Sequence, residues 1–299
     1  MATDDRLEIL SVSLLENKTL VNEMKQIAAQ MRVEFGWHYL LDLVWIIECL
    51  DLESLANVLD AGAGRGVIQF FLASKGINVV SVDRVSRAYL PLHFRKYCQI
   101  EGFTPEDLAS PAKTLFRLAK REGNLDRKVR EFVRDLVFFP AGKSIAPGSG
   151  KVLIYQQDLK NLKKIEDNSM DAVVAVSALE HNLPEDLPQV VAELMRVLKP
   201  GGRLVATLST SGSQDQYHQP SSGWTYCEAS LKAHFGLDAD VISNYDQLPA
   251  LFEDLRHSTE LKEGLAKFYF QRGEGGMPWG VWDPQYVPVG VCKVKPLAG

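Results

Sequence analysis

The stretch from Asn57 to Phe71, NVLDAGAGRGVIQFF, constrains this chain more than any other. An apolar run stops at an acid, Asp60, passes three glycines at alternate positions, Gly62, Gly64 and Gly66, and resumes as an apolar, helix-compatible run. Glycines let a backbone turn sharply and come close to a ligand, and a helix that starts directly after them presents unpaired N–H groups. The helical run VIQFFLASKG closes at Gly76, and NVVSVDR follows as a β-branched strand ending in Asp83. Strand, helix and strand within about 27 residues make a βαβ unit, and such units build parallel sheets with right-handed crossovers.

The alternation persists downstream. KVLIYQQDL is a strand, MDAVVAVSALEH a buried strand with a polar end, PEDLPQVVAELMRVLKPGG a helix stopped by Pro-Gly-Gly, and RLVATLST a strand. The expected fold class is therefore α/β, a doubly wound, Rossmann-like, mostly parallel sheet. Two helices precede it: residues 18–34 place Leu20, Val21, Met24, Ile27, Ala28 and Met31 at spacings of three and four, and residues 37–50 are apolar nearly throughout. The second run carries Asp42 and Glu48 and falls short of the roughly 20 apolar residues of a membrane span. The final segment, KFYFQRGEGGMPWGVWDPQYVPVGVCKVK, is expected to close the sheet as an antiparallel hairpin. The domain division expected is an N-terminal helical extension at 1–52 and a catalytic domain at 53–299 with a helical insertion at 87–150.

Charge and composition narrow the partners. With 46% apolar residues the 299-residue chain can bury a large core, and its formal charge of -5 gives no general attraction to nucleic acid or anionic membranes. Cys49, Cys98, Cys227 and Cys292 show neither CxxC pairing nor framework spacing, so free thiols in a reducing compartment are expected, and no metal site. The first residues, MATDDRLEIL, lack the pattern of a secretory signal, and the expected location is cytoplasmic.

In doubly wound sheets ligands sit beyond the carboxyl ends of the strands. Asp60 and the glycines end the first strand, Asp83 the second, Asp158 the third, and Ser177 to His181 the fourth. The glycine spacing is GxGxG rather than the GxGxxG that brings a pyrophosphate to a helix, and the acid just ahead would repel phosphate. That acid suits an ammonium group, and Asp83 suits a pair of ribose hydroxyls. The combination describes S-adenosylmethionine better than NAD.

At these residues the sequence resembles class I S-adenosylmethionine-dependent methyltransferases. VLDAGAGRG resembles their first motif, VVSVDR the second, QQDLKNL the segment flanking adenine, and MDAVVAVSALEHNLPEDLPQVVAELMRVLKPGGRLVATLS the fourth strand through the fifth, in the style of the ubiquinone and menaquinone branch. The resemblance covers residues 55–86 and 150–211. It implies a cofactor site at Asp60, Gly62, Gly64, Gly66, Asp83, Arg84, Asp158, Leu159 and Ser177, with Asp158 accepting from the adenine amino group and Leu159 offering its N–H to the ring. It implies methyl transfer to a small-molecule or carrier-attached acceptor. A non-catalytic S-adenosylmethionine-binding regulator, or a cyclase or aminopropyltransferase on the same fold, stays open.

The departures bear on the acceptor. Asp83 and Asp158 lie 75 positions apart, about 50 more than the family interval. The extra residues include RAYLPLHFRKYCQIEGF, PAKTLFRLAKREG and LDRKVREFVRDLVFF, read as helices before the linker PAGKSIAPGSG. From Arg84 to Asp135 there are 12 Lys and Arg against 7 Asp and Glu, which suits either a basic lid over an anionic acceptor or a solvated helix face. After the fifth strand, SGSQDQYHQPSSGWTYCEASLKAHFG is a polar loop of the composition of a binding loop. His181 is the leading candidate for a general base, with His218 and Tyr217 as rivals; the other histidines, including His38, read as surface or satisfied core residues.

Overall fold

The computed structural model describes residues 5–120, 133, 148–264 and 281–297. Its strands are β1 (Arg6–Ile9), β2 (Asn57–Ala61), β3 (Asn78–Asp83), β4 (Gln99–Gly102), β5 (Lys151–Gln156), β6 (Met170–Val176), β7 (Leu198–Thr210), β8 (Gln216–His218), β9 (Gly223–Thr225) and β10 (Val287–Val294). The helices are α1 (Lys18–Met31), α2 (Tyr39–Glu48), α3 (Ile68–Ser74), α4 (Pro111–Lys120), α5 (Leu187–Val197), α6 (Glu228–Phe235), α7 (Leu248–His257) and α8 (Thr259–Gly264).

One sheet of ten strands runs β1-β10-β7-β6-β2-β3-β5-β4, with β8 and β9 attached beside the end of β7. From β7 to β4 every pairing is parallel, and β10 is antiparallel to both β7 and β1. The doubly wound, Rossmann-like expectation holds. Its physical basis is the near-continuous apolar character of β2, β3 and β6: Val58, Leu59, Val79, Val82, Val173 and Val174 are fully buried because helices cover both sheet faces. From β2 the chain builds outward to β3 and β5 on one side, then returns to β6 and β7 on the other. That reversal opens the crevice at the carboxyl ends of these strands.

Helix α2 is apolar on nearly every side because it is enclosed on nearly every side. Leu40, Leu41, Val44, Trp45 and Ile46 are buried, and the helix packs on β6, β7 and β10. Helix α1 is one-sided, burying Val21, Met24, Ala28 and Met31 at the spacing expected. No helix among the described residues is long and apolar enough to cross a membrane.

Three regions differ from the sequence expectation. The N-terminal segment is not purely helical, since β1 forms the sheet edge, with Leu7 and Ile9 turned inward and its rim covered by Asn244. The Asn244 side chain receives Ile9 N–H at 2.7 Å and donates to Ile9 O at 3.0 Å. Four residues give too short an alternation to stand out in sequence. In the insertion, RAYLPLHFRKYCQIEGF is not a helix: after Pro91 come a single 3-10 turn and then β4, which pairs with β5. Arg87, Leu90, Phe94 and Cys98 are buried, so this stretch packs against the body of the domain. PAKTLFRLAK is helical as expected, whereas LDRKVREFVRDLVFF, apart from Val133, and most of the following linker lie outside the described residues. The polar loop after β7 is ordered as the β8–β9 hairpin, joined to the sheet at Ser209 and Thr225. Of the expected C-terminal hairpin, the second half is β10, whose antiparallel partners are β7 and β1; most of the first half lies outside the described residues.

Candidate functional site

The loop between β2 and α3 is held in shape by backbone and by buried polar side chains. The N–H groups of Gly62 and Ala63 both donate to Val82 O at 2.9 Å, which ties the loop to the end of β3. Beneath it, Gln69 donates to Ala63 O and Gly66 O and accepts from Ser81 Oγ at 2.7 Å. The Arg87 guanidinium donates to Gly64 O at 3.1 Å and to Ser81 Oγ and O at 2.5 Å. Gly62 is obligatory here: its φ is +75°, and a Cβ would fall 2.4 Å from the Ala178 Cβ. The loop thus presses on the segment after β6, where the two halves of the crevice meet.

An outer cavity of about 400 Å³ lies over the ends of β2, β3, β5 and β6, lined by Gly62, Asp83, Arg84, Asp158, Leu159 and Ala178 among others. Asp83 accepts from Val85 N–H at 2.6 Å and from Gly64 N–H at 2.8 Å, one bond to each oxygen. Each oxygen keeps a second lone pair, so a pair of ribose hydroxyls can still be received. Asp158 accepts from Lys160 N–H at 2.9 Å, which turns its carboxylate at the start of a tight loop, and Leu159 is buried beside it.

An inner chamber of about 350 Å³ lies on the other side of Gly62. It is lined by Asp60, the glycine loop including Gly64 and Gly66, Ser177 and apolar side chains such as Phe35, Leu43 and Val67. Gly62, Ala178 and His181 line both spaces. Asp60 is 1% exposed, and its Oδ2 has no hydrogen-bond partner among the described residues. Burial pushes its carboxyl up to about 7, Arg87 opposing the shift and Asp83 adding to it. An acid that is costly to ionise and lacks a donor fits a cationic donor group arriving with a ligand.

The segment Ser177–His181 carries the polar chemistry after β6. Ser177 adopts φ +44°, a left-handed conformation that costs energy for a residue with a Cβ, and its hydroxyl donates to Glu180 Oε1 at 2.5 Å. Glu180 is 3% exposed with Oε2 unpartnered, and burial holds its carboxyl above the ordinary range against the pull of His181 and the Ser177 hydroxyl. His181 Nδ1 donates to Ser222 O at 3.0 Å, which fixes the tautomer and leaves the lone pair of the neutral ring on Nε2. The contact depends on Gly223, where a Cβ would lie 3.2 Å from Glu180 Cγ and 3.4 Å from the His181 ring.

The nine residues expected at a cofactor site all line one or both spaces, and so does His181. Tyr217 does not. It is 48% exposed on β8, edge-on to Trp224. His218 lines neither space; its ring meets Tyr286 at 5.2 Å and its Nδ1 contacts Ser221 Oγ at 2.7 Å, while burial lowers its basicity. The neighbouring Ser221 and Ser222 line the outer cavity instead. His38 is a buried core histidine, paired with Asp42 at 2.7 Å through Nδ1. Sequence reasoning passed over Glu180, Arg87, Gln69 and Ser81. Glu180 carried a signal, an acid soon after the apolar run of β6, whereas the other three acquire their roles only from long-range contacts.

Residues 138–206 match the family model described as a methyltransferase domain. No curated protein matches the sequence. Among solved structures, a putative sarcosine dimethylglycine methyltransferase from Galdieria sulphuraria is 16% identical, with a TM-score of 0.43 over 85% of this chain and 85% of that one. An S-adenosylmethionine-dependent methyltransferase from Methanosarcina mazei is 14% identical, with a TM-score of 0.41 over 85% of this chain and 98% of its own. The cyclase SpnF is 15% identical, with a TM-score of 0.41 over 93% and 82%. The matched segment spans β5, β6, α5 and most of β7, the strands that end in Asp158 and Ser177–His181, and it supports S-adenosylmethionine as the cofactor of this crevice.

Proposed function

We propose that the protein transfers a methyl group from S-adenosylmethionine to a small-molecule acceptor. The observation that carries the reading is the buried, donor-starved carboxylate of Asp60 beside a glycine-lined loop, at the junction of a polar cavity and a more apolar one. When bound, S-adenosylmethionine supplies a methyl group already activated on a sulfonium, so the protein's work is binding, alignment and proton removal.

Asp83 would receive the ribose hydroxyls, and Asp158 and the Leu159 N–H would read the adenine edge in the outer cavity. Asp60 would receive the ammonium group, its ionised form then being favoured by a neighbouring cation. Gly62 and Gly64 would allow backbone approach to the methionine portion. Ser177 and Ala178 would border the reacting centre, and the inner chamber would hold the acceptor against it while its apolar walls exclude water. His181 Nε2, with its lone pair fixed by the Nδ1 contact to Ser222 O, would take the proton from an acceptor hydroxyl or amine.

Calorimetric titration tests the reading directly. S-Adenosylmethionine or S-adenosylhomocysteine should bind and raise the melting temperature by mass action, with no response to NAD. A protein that answers to NAD alone overturns the proposal. Incubation with labelled cofactor and a metabolite extract, followed by a mass search for the gain of one methyl group, would then identify the acceptor.

A further inference from the structure

A third cavity, of about 380 Å³, lies behind the glycine loop, between it and α4. Three guanidinium groups line it, Arg65, Arg87 and Arg117, with no carboxylate among the described lining residues. The spaces around it are different: Asp83 and Asp158 line the outer cavity, and Asp60 and Glu34 line the inner chamber. In a chain with a formal charge of -5, a cavity whose charged lining residues, among those described, are all cations is a local reversal of sign.

The three arginines are not equivalent. Arg87 is buried, its hydrogen bonds fix the glycine loop, and its charge is answered by Asp83, Asp60 and Asp107. Arg65 and Arg117 are exposed and make no ion pair or hydrogen bond among the described residues. Arg117 is nevertheless held in place, its guanidinium lying 4.0 Å from the ring centre of Tyr89. Stacking on a ring occupies the face of a guanidinium and leaves its edge N–H donors available to a planar or tetrahedral oxyanion. Ser86 borders the same cavity, and its hydroxyl donates to no described residue. Two cations and a hydroxyl donor, none of them answered by a described residue, thus surround one space, and an oxyanion would satisfy all of them.

Arg65 ties this cavity to the inner chamber because it lines both. It stands between Gly64 and Gly66, so its backbone is fixed by the loop that Gln69 and Arg87 brace. We infer that the cavity of Arg65, Arg117 and Ser86 is the anion subsite of the methyl acceptor, which is a small acid: an apolar body in the inner chamber and a carboxylate or phosphate end on the arginines. The inference rests on the methyl-transfer reading for the word acceptor, and on the cavity itself for the word acid.

Two probes separate the sources of the oxyanion, benzoate for a carboxylate and phenyl phosphate for a phosphate. Each is titrated calorimetrically into the whole protein, both alone and saturated with S-adenosylhomocysteine. One of them should bind, and Arg117→Ala should weaken that binding by about tenfold or more, the loss expected when a charge-assisted pair is removed. The affinity of Arg117→Ala for S-adenosylhomocysteine should stay within about twofold of the parent, because Arg117 lines neither the outer cavity nor the inner chamber. Lys113→Ala, an exposed cation on α4 outside the cavity lining, should leave both probes unaffected. Absence of binding by either probe overturns the inference, as does equal binding by Arg117→Ala or an equal loss in Lys113→Ala. If S-adenosylhomocysteine fails to bind while the probe result holds, the anion site stands and the methyl-transfer reading falls.

Discussion

At the ends of β3 and β5 the crevice offers carboxylates that solvent reaches, whereas at the ends of β2 and β6 it buries them. Asp83 and Asp158 are partly exposed, each already oriented by a backbone N–H group two residues downstream. Asp60 and Glu180 are buried, each with an oxygen that no described residue satisfies. The first arrangement is local and tolerant: a short turn positions an acid that needs no further support. The second is long-range and sensitive to its surroundings, because a buried acid without a donor is costly until a ligand or a proton answers it. Affinity is expected to reside mainly in the exposed half and reactivity in the buried half.

The change expected to have the largest effect removes the boundary between the halves. Gly62→Val combines a left-handed φ of +75° with a Cβ placed 2.4 Å from Ala178. A loss of about 3–5 kcal/mol of stability is expected from the two effects together, with both ligand binding and turnover abolished. Thermal unfolding and S-adenosylhomocysteine titration measure it, and an intact site in the variant would show that the loop and the Ala178 segment move independently.

His181→Ala sharpens the contrast from the reactive side. A positioned base contributes about 100- to 10,000-fold, so turnover should fall by at least the lower figure with little change in cofactor affinity. His181→Gln should be nearly as poor, since an amide cannot take the proton. Retained activity in the Gln variant would make His181 a positioning residue. From the binding side, Asp83→Ala should weaken S-adenosylhomocysteine by about 1.5–3 kcal/mol through loss of charged hydrogen bonds. A larger effect on turnover than on affinity there would break the division proposed.

Asp60 adds a pH test whose sign follows from its raised carboxyl. Because the folded protein holds this proton up to about pH 7 and the unfolded chain releases it near 3.8, the Asp60 contribution to stability is present at low pH and is lost as pH rises from about 4 to about 7. An arriving ammonium group favours the ionised form, so cofactor affinity should weaken by up to about tenfold per pH unit as pH falls below 7. Asp60→Asn should flatten both profiles. A pH-independent affinity in the parent between pH 5 and about 7 would remove Asp60 from the ammonium contact. The smallest effect is expected at Tyr217→Ala: the side chain is 48% exposed and lines neither space, so turnover should change by less than about twofold. A large loss would mean that the β8–β9 hairpin closes over the crevice during the reaction.

Much of the crevice was legible in the sequence. Asp60, the three glycines, Asp83 and Asp158 each end a strand whose β-branched or apolar run stops abruptly at a polar residue, and strand ends of a doubly wound sheet converge by topology alone. Periodicity also fixed α1, α2 and α5, because one-sided or all-round apolar patterns leave a helix few alternative placements. The same reasoning failed at Arg87–Gly102, where a mixed apolar and basic run suggested a helix. There the free edge of β5 supplied hydrogen bonds that local propensity does not reveal, and β4 formed instead.

The sequence by itself determined the class of fold and the polar residues that end its strands, because those depend on hydrophobic period and chain order. Tertiary structure decided which of those residues are solvated and which are buried. It seated β1 on β10 at the far edge, set Arg87 and Gln69 under the glycine loop, and drew Gly223 against Glu180 and His181. It also brought Arg65 and Arg117, 52 positions apart, to the walls of one cavity. Burial, charge balance and the state of a proton are properties of neighbours in space, and a linear pattern records only neighbours along the chain.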